Sequence, residues 1–594
     1  MEYVATSAER LRRKRMRARE QGFCITCCNV KPLRGLRVCE VCKVAVQVRK
    51  KAQRKKLRQR GPTAIIEAHE RAGDVAREHH FHAAAAQHYE DALHVPHADE
   101  SAWMRLSEKL AEVLWVGNEP GAVHAVNSRL LPIYRAHPER GAEHIKTLFR
   151  VARQLSVDSR PKDRIPVLRR AIRLAELSNT PELLQQAHIL MVNTLAQLDR
   201  FVEAERYLHK IERLHSKTHN VRIHIGYYIQ KGLVAAGLGH EKEAFANFHR
   251  AVEIIREDTD LYRPVGLWSD YGFVALMFGR TKLAKAHLEH GLLAARRNNI
   301  AWLIPQYCLE YAELLMYMGE YTAAHEYLVE ALSSDAHSAI LDQMIVYIGI
   351  PLALLVKNET TLAQCVRPHV IDRAFLSSQP GRLGLVAAAF ARWYVEQGKI
   401  TKARTLLHRA VEAAHNAVDA WPLPLEVARC GAKADFAKAR RMFTARIARP
   451  GAQVAEAYLQ LFDAFVAQRE GRDAHAYARE AATRFDAFQW GKYADLARSL
   501  LPIAEQSSPA SRLRPVQPFS HMQAKFTERE REVATLVLKS LTNRAIAHTL
   551  GISENTVEKH VASVMDKLGV RSRHQLADAI AYPDVEKDSG IRVG

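Results

Sequence analysis

A pattern of about 40 residues recurs through the middle of this 594-residue chain. In each copy a turn, usually containing glycine, precedes an alanine by five residues. Glycine readily adopts the positive φ that ends a helix, and alanine lets the next helix approach closely. Such a period predicts an all-α solenoid of stacked helix–turn–helix units over residues 62–505. The pairs are Asp199 with Ala204, Gly239 with Ala244, Gly279 with Ala284, Gly319 with Ala324, Asn358 with Ala363, and Gly398 with Ala403.

The predicted solenoid would offer a concave surface, which is where proteins of this architecture bind their ligands. We therefore expect a protein or small-molecule effector to bind there. Two alternatives stay open, since the array could serve only as a spacer or as a dimerisation frame. Eight aromatic residues fit either a binding groove or the core between helices: Tyr227, Tyr228, Trp268, Tyr271, Trp302, Tyr307, Tyr311 and Trp393.

Four short amphipathic helices are predicted near the C-terminus. Thr527 and Glu530 have the spacing of a capping box, which predicts a helix that ends near Leu538. A second helix should begin at Asn543 and end before Gly551, where glycine suits a positive-φ turn.

The third helix should begin after Ser553 and end near Leu568, and Ser572 should start the fourth. A tight turn before a longer helix is the arrangement of helix-turn-helix proteins, which place the second helix in the DNA major groove. One face of the third helix is apolar at helical spacing and should be buried: Val557, Val561, Val564 and Leu568.

The other face of this helix is polar, and its side chains suit phosphates and base edges. A solvated face in an ordinary helical bundle is the alternative. The candidate DNA-binding residues are Asn555, Thr556, Lys559, His560, Ser563 and Lys567.

Four stretches occur here in order: F-T-x-R-E-x-E-V, L-T-N-R-x-I-A-x-x-L-G-I-S, T-V-E-K-H and K-L-G-V-R-S-R. Through them the segment 524–582 resembles the LuxR/FixJ-type helix-turn-helix of bacterial transcription regulators. The resemblance implies that the third helix reads the major groove of double-stranded DNA. It also implies that the fourth helix, residues 572–580, mediates a homodimer.

Two positions depart from the family pattern. The family commonly has lysine where this chain has Glu558, and often a polar or basic residue where it has Ala562. Glutamate can accept a hydrogen bond from cytosine N4 but repels phosphate. The family's lysine contact therefore does not carry over, and the preferred DNA sequence stays open.

Helical repeats beside such a module resemble the effector-sensing region of MalT-like regulators, and the G-x-x-x-x-A core resembles a tetratricopeptide repeat. MalT-like regulators also carry a nucleotide-binding domain. No G-x-x-x-x-G-K-[ST] sequence occurs in this chain. Switching driven by nucleotide hydrolysis is therefore not expected.

Two C-x-x-C pairs lie near the N-terminus, separated by eleven residues: Cys24 with Cys27, and Cys39 with Cys42. Four thiolates at this spacing are typical of a tetrahedral structural zinc site in a small ribbon. A redox or disulfide pair is the alternative. We expect zinc as a cofactor here, with Cys28 as a non-ligand.

Positive charge concentrates beside these cysteines. Residues 1–60 hold 19 Lys and Arg against 4 Asp and Glu, whereas residues 521–580 hold 9 against 7. The excess suits contact with nucleic-acid phosphate, although a solubilising tail or an arm for an acidic protein is the alternative.

The chain is therefore divided into basic arms with a zinc ribbon (1–61), the solenoid (62–505), a Ser/Pro-rich linker (506–523), the helix-turn-helix domain (524–582) and a tail (583–594). The longest apolar run, Met344–Val356, is too short to cross a bilayer and contains proline. We expect a cytoplasmic protein that binds no membrane.

These patterns predict a sequence-specific bacterial transcription regulator whose repeats sense an effector. The alternative is an interaction scaffold whose zinc ribbon and basic arms engage nucleic acid or a protein. An enzyme is not expected, because the sequence contains no nucleophile elbow, metalloprotease helix or phosphate-binding loop.

Overall fold

The computed structural model describes residues 61–78, 81–96, 99–116, 120–215, 220–257, 266–297, 300, 303–334, 338–377, 379–414, 417, 420–506, 526–538 and 543–567. Their regular secondary structure is entirely helical, as the sequence predicts. The chain divides into two compact units, Met1–Ala136 and His137–Gly594. The predicted zinc ribbon, the basic arms, residues 507–525 and the helix 572–580 lie outside the described residues.

The first unit contains α1 (Pro62–Glu78), α2 (His82–Leu93), α3 (Glu100–Val116) and α4 (Pro120–Ala136). Tyr89 is fully buried, and its ring packs so closely on α1 that a Cβ at Gly73 would lie 2.5 Å from it. Glycine at this position therefore lets α1 and α2 meet. Lys109 joins α3 to α1 through contacts of 2.8 Å with both Glu70 and Asp74.

The second unit begins with helices that pack in consecutive antiparallel pairs. The first helix of one pair also contacts the first helix of the next, which is the packing of a helical solenoid. These helices are α5 (Gly141–Val157), α6 (Pro161–Leu177), α7 (Pro181–Ala196), α8 (Phe201–His215), α9 (Val221–Leu238), α10 (Glu241–Glu257), α11 (Gly266–Met277), α12 (Thr281–Arg297), α13 (Ile304–Met318) and α14 (Tyr321–Leu332).

The solenoid continues through further helices, many of which are shorter. They are α15 (Ala339–Met344), α16 (Ile350–Val356), α17 (Glu359–Cys365), α18 (Pro368–Ser377), α19 (Pro380–Glu396), α20 (Ile400–Ala413), α21 (Pro422–Cys430), α22 (Phe436–Ile447), α23 (Gln453–Arg469), α24 (His475–Ala487), α25 (Gly491–Arg498) and α26 (Ile503–Gln506).

The predicted repeat turns each contain a residue with positive φ. The angles are 56° at Asp199, 91° at Gly239, 70° at Gly279, 89° at Gly319, 55° at Lys357 and 70° at Gly398. The following alanines pack in the core with no exposed surface: Ala204, Ala244, Ala284, Ala324 and Ala403. The alanine after each of these turns thus lies where neighbouring helices pack together.

The fifth repeat departs from the predicted register. Its left-handed residue is Lys357, whereas Asn358 caps α17 by accepting a 2.9 Å hydrogen bond from the Thr361 backbone N–H. Both the turn and the start of α17 therefore lie one residue earlier than the repeat pattern predicts. As a result, Thr361 is buried and Ala363 is exposed. The prediction of a buried alanine at this position is wrong.

Residues 449–492 pack back across earlier turns of the solenoid. Arg449 Nη1 donates a 3.1 Å hydrogen bond to the carbonyl of Gly237. A Cβ on Gly239 would lie 2.3 Å from the Pro450 carbonyl oxygen, and one on Gly279 would lie 2.5 Å from the Phe488 ring. The glycines therefore end helices and also make room for this returning segment.

One described segment, Ala339–Val356, is long and apolar enough to cross a membrane. Its mean hydropathy is 2.0, and 56% of it is buried in the fold. It is interrupted by a π-helical turn, Ile345–Gly349, and packs against α14 and α19. This packing is that of a core helix.

The C-terminal module, described over residues 526–538 and 543–567, has three helices: α27 (Glu528–Leu538), α28 (Asn543–Leu550) and α29 (Glu554–Lys567). The predicted ends of the first two helices are confirmed. The turn between α28 and α29 contains Gly551 with a φ of 63°, as expected. Leu568 lies outside the described residues.

Candidate nucleic-acid interface and solenoid cavity

Glu530 is buried at the start of α27, with 5% of its surface exposed. Its Oε2 accepts a 2.7 Å hydrogen bond from the Thr527 backbone N–H. The Thr527 hydroxyl in turn accepts one of 3.3 Å from the Glu530 N–H. The predicted capping box is confirmed, and it fixes the start of the helix on which α29 rests.

The same carboxylate connects α27 to α29. Ser563 Oγ donates to Glu530 Oε1 at 2.6 Å, and Lys567 Nζ lies 2.8 Å from Oε1 and 2.6 Å from Oε2. Burial acts to raise the pKa of Glu530, but the hydrogen bonds from Lys567, Ser563 and Thr527 outweigh it and lower the pKa to about 2. Glu530 is therefore ionised at neutral pH.

The apolar face of α29 forms the core of the module. Val557 and Val564 are fully buried and Val561 is 7% exposed. These valines pack with Phe526, Val533, Ala534, Val537, Ile546 and Ala547. The predicted stripe is confirmed for these three positions, and it fixes which face of α29 points outward. Ser553 caps the helix, since its Oγ accepts a 3.1 Å hydrogen bond from the Thr556 N–H.

The predicted DNA-binding side chains fall into two groups. Asn555 and Lys559 are exposed and Thr556 and His560 are half-buried, all on or beside the outward face. Ser563 and Lys567 are instead bonded to Glu530 within the module. Sequence reasoning missed this role because Glu530 lies 33 residues before Ser563.

The two residues that differ from the family pattern both lie on the outer surface of α29. Glu558 and Ala562 are exposed. An outward carboxylate beside Lys559 reduces the local positive charge and disfavours approach to phosphate, while remaining able to accept a hydrogen bond from a base. The surface of α29 thus suits base contacts better than strong phosphate binding.

A cavity of about 340 Å³, partly open to solvent, lies within the second unit between the solenoid and its returning C-terminal segment. Its wall includes one stripe of α13, namely Gln306, Glu310, Glu313 and Tyr317, at spacings of four, three and four residues. Asp270 on α11 and Arg382 on α19 also line it. The inner helices of successive repeats therefore supply its polar groups.

Glu310 is held in place within this cavity. Its Oε1 accepts hydrogen bonds from Ser269 Oγ at 2.6 Å and Gln306 Nε2 at 2.9 Å. Burial raises the pKa of Glu310 to about 7, and burial together with the charge of Glu310 raises that of Asp270 to about 7. The two carboxyls change protonation near neutral pH.

The aromatic residues singled out from the sequence do not form this cavity. Of the eight, Tyr227, Trp268, Tyr271, Tyr307 and Tyr311 are buried in the helical core, and Trp302 lies outside the described residues. The alternative interpretation, a core role, is therefore the one observed for those five. Other aromatic side chains line the cavity: Phe273, Tyr317, Tyr347, Trp421, Tyr458 and Trp490.

One group of described side chains could hold a metal ion. His69 and His88 on α1 and α2, with Asp91, bring three potential ligand atoms within 4.8 Å of one another in the first unit. The predicted zinc ligands, Cys24, Cys27, Cys39 and Cys42, belong to the residues that the structure does not describe. Zinc binding by these cysteines stays a prediction.

Solved structures give weak overall matches. One is a signal transduction ATPase with a tetratricopeptide repeat sensor from Pyrococcus horikoshii, with 14% identity and a TM-score of 0.28, covering 69% of this chain and 52% of that chain. Another is the apo form of the quorum sensor NprR from B. thuringiensis, with 14% identity and a TM-score of 0.35, covering 62% of this chain and 100% of that chain.

The C-terminal module gives the clearest sequence match. Residues 524–580 match the model of the bacterial regulatory proteins, luxR family. The two-component response regulator PprB of Pseudomonas aeruginosa is 37% identical over 95 residues, which are 15% of this chain. The match spans about a third of PprB's length (34%). The spore germination protein GerE of Bacillus subtilis is 49% identical over 50 residues, 8% of this chain and 68% of GerE. The helix-turn-helix geometry and the extent of the GerE match together show that this chain belongs to the luxR family of bacterial regulatory proteins.

Proposed function

We propose that this protein is a sequence-specific DNA-binding transcription regulator whose helical solenoid senses an effector. The observation that carries the proposal is the outward face of α29. This helix is anchored through Val557, Val561 and Val564, and it presents Asn555, Thr556, Lys559 and His560 away from that anchor. A capped helix fixed on one side and polar on the other is suited to lie in a major groove.

Ser563 and Lys567 have a positioning role in this proposal. Both bond to Glu530, which holds the C-terminal half of α29 against α27. Contact with base edges is therefore assigned to the N-terminal half of the helix. This division agrees with the way helix-turn-helix proteins use the N-terminal residues of their recognition helix.

Selection of bound sequences from random duplex DNA by the full-length protein tests the proposal. We expect one enriched motif, and its loss in a double variant carrying Lys559→Ala and His560→Ala. The interaction scaffold predicts binding without enrichment, because basic arms contact phosphates and carry no base readout. Enrichment that survives in the double variant would show that α29 does not read the sequence.

The N-terminal region would add affinity rather than sequence preference. Residues 1–60 hold 19 basic and 4 acidic residues, so phosphate contacts there should release counterions. Deleting residues 1–60 should therefore make the slope of log K against log salt shallower while the selected motif stays the same. Equal slopes in the two proteins would show that the arms do not touch this DNA.

Zinc would organise the same region. Two C-x-x-C pairs can supply four thiolates, Cys24, Cys27, Cys39 and Cys42, and so small a ribbon has almost no core without a metal. We expect about one zinc per chain by elemental analysis, its loss in a Cys39→Ser/Cys42→Ser variant, and its retention in Cys28→Ser. Unchanged zinc in the double variant would exclude these ligands.

Dimerisation would add DNA affinity, because the charge of a single module contributes little to DNA binding. Residues 521–580 hold 9 basic and 7 acidic residues, so one copy gains little from counterion release. A homodimer through residues 572–580 would bind two half-sites. A protein that regulates transcription in this way would work in the cytoplasm and would not be an enzyme. Sedimentation of the protein with and without residues 572–594 tests the dimer.

A further inference from the structure

The solenoid cavity has a negative lining. Four carboxyl groups line it, those of Asp199, Asp270, Glu310 and Glu313, against a single basic side chain, Arg382. No described residue donates a hydrogen bond to Asp270 or forms an ion pair with it. Asp270 is half-buried, and a carboxyl in such a place without a cationic partner is unfavourable when ionised, so the lining favours a ligand that brings positive charge.

Glu310 adds an independent observation. Its Oε1 is engaged by Ser269 and Gln306, whereas its Oε2 is buried without a hydrogen-bond partner among the described residues. Buried carboxylate oxygens are normally satisfied. Two neutral donors therefore fix the orientation of Glu310 while half of its hydrogen-bonding capacity remains unused beside Asp270.

Much of the remaining wall is apolar, and one part of it is aromatic. Tyr317 and Trp490 have ring centroids 5.0 Å apart, and Tyr458 is 6.2 Å from both Trp490 and Trp421. These four rings form a contiguous cluster that lines one part of the cavity. Aromatic faces attract organic cations, and a volume of about 340 Å³ suits a small organic molecule.

A metal ion is a poorer fit. Three-ligand clusters within 4.8 Å occur among the described side chains only at His69, His88 and Asp91, far along the chain from the cavity residues. Divalent cations need several oxygen ligands converging on one point. Asp270 and Glu310 thus supply charge without a coordination shell.

We propose that this cavity is the effector site and that its ligand is a small organic cation, with an ammonium group between Asp270 and Glu310 and an apolar body against the aromatic wall. The inference deepens the proposed sensing role and rests on it. Because the wall combines α11 and α13 with Tyr458 and Trp490 of the returning segment, the ligand contacts both the earlier repeats and that segment. A bound ligand therefore favours the arrangement in which the returning segment packs on the earlier repeats.

Proton release should accompany binding. Both carboxyls have a pKa raised to about 7, so each is partly protonated at neutral pH and must ionise to pair with a cation. Glu313, Asp199 and Arg382 line the same cavity, and Lys492 on α25, whose pKa burial lowers to about 8, packs on Tyr317. Affinity for the cation should rise between pH 6 and pH 8.

Calorimetry on the full-length protein tests the proposal with three matched probes: 2-phenylethylamine, neutral 2-phenylethanol and anionic 3-phenylpropanoate. We expect binding of the amine alone, with a heat that differs between phosphate and MOPS buffers because protons are released. An Asp270→Asn/Glu310→Gln variant should lose about tenfold to a hundredfold in affinity, as expected for charged hydrogen bonds. An Asp372→Asn/Glu326→Gln variant, altered at exposed carboxyls, should bind like the original chain.

Three outcomes would overturn the proposal: no binding of the amine, equal binding of the alcohol or the acid, or unchanged affinity in Asp270→Asn/Glu310→Gln. Binding of Ca²⁺ or Mg²⁺ lost in the same variant would replace it with a metal site. DNA selection by the same proteins separates this result from the proposed function. An enriched motif without amine binding would leave the DNA-binding regulator standing and remove only the cation effector.

Discussion

The indole Nε1 of Trp490 donates a 2.9 Å hydrogen bond to the hydroxyl oxygen of Thr281, and the two residues are 209 positions apart. The Thr281 hydroxyl itself donates to the carbonyl of Phe488. Thr281 is 4% exposed and Trp490 is 2% exposed. A single hydroxyl thus satisfies two buried polar groups of the segment that returns across the solenoid.

Replacing Thr281 with valine should weaken the packing of the returning segment on the solenoid. Valine has the same shape, so the change leaves the Trp490 indole N–H and the Phe488 carbonyl without their partner and creates no large cavity. We expect a loss of about 2–4 kcal/mol in the free energy of unfolding, measured by urea denaturation. Thr401→Val, at an exposed position of α20, is the control and should change little. Equal effects would show that the contact contributes nothing specific.

Gly239→Ala should be more destabilising than Gly398→Ala. Both glycines have positive φ, at 91° and 70°, so both substitutions carry the same backbone strain of about 1 kcal/mol. Only at Gly239 would the new Cβ lie 2.3 Å from the Pro450 carbonyl oxygen, whereas nothing lies within 4 Å at Gly398. The difference between the two melting temperatures measures the packing of the returning segment. Identical shifts would indicate that this segment does not rest on Gly239.

The local features of this fold could be predicted from the sequence, and the long-range ones could not. The positive-φ turn at Gly279 and the capping box of Thr527 with Glu530 depend on residues within one or two helical turns. The cavity brings Glu310 together with Trp490, and no periodic signal links positions so far apart. The prediction that Ala363 is buried was wrong for a local reason, because Asn358 caps a helix instead of occupying the left-handed turn.

The pH dependence of stability should reflect Asp270 and Glu310. Their pKa values are raised to about 7, above the ordinary value near 4, so the folded state prefers their protonated forms. As pH rises from about 4 to 7, the unfolded chain loses these protons first, and stability falls by an amount on the order of a few kcal/mol. Above the folded pKa the penalty is constant.

Melting temperatures of the original chain and of Asp270→Asn/Glu310→Gln, taken from pH 5 to pH 8, measure this effect as the difference between the two curves. We expect the variant to be the more stable protein at pH 8, with the advantage shrinking toward pH 5. Asp372→Asn should follow the original chain. A constant difference across the range would show that these carboxyls do not titrate there.

Glu530→Gln should loosen the C-terminal module. Glutamine keeps the shape but loses the charged contacts with Lys567 and Ser563, at a cost of about 1–3 kcal/mol. The lowered pKa of about 2 means that the carboxylate stabilises the module above pH 4 and that this contribution disappears as the pH falls through 2. Glu528→Gln, an exposed neighbour on the same helix, is the control for unfolding monitored by circular dichroism. An unchanged melting curve in Glu530→Gln would contradict the bridging role.

Lys559→Ala and His560→Ala should separate DNA reading from folding. Both side chains lie on the outward side of α29, away from the valine stripe, so removing them should leave the module folded. Each should weaken binding to the selected sequence by about 1–3 kcal/mol if it contacts a base edge, with a smaller effect on unrelated DNA. Val561→Asp should instead unfold the module, because it places an unpaired charge in the core.

Circular dichroism and titration of labelled duplexes distinguish these outcomes. Full affinity and preference in both alanine variants, with normal helical content, would show that this face of α29 does not enter the groove. Glu558→Lys then gives a decisive comparison, since it restores the residue common in the family at an exposed position beside Lys559. If the face lies against DNA, this change should strengthen binding to all sequences and steepen the salt dependence, because one more phosphate contact releases about one more counterion.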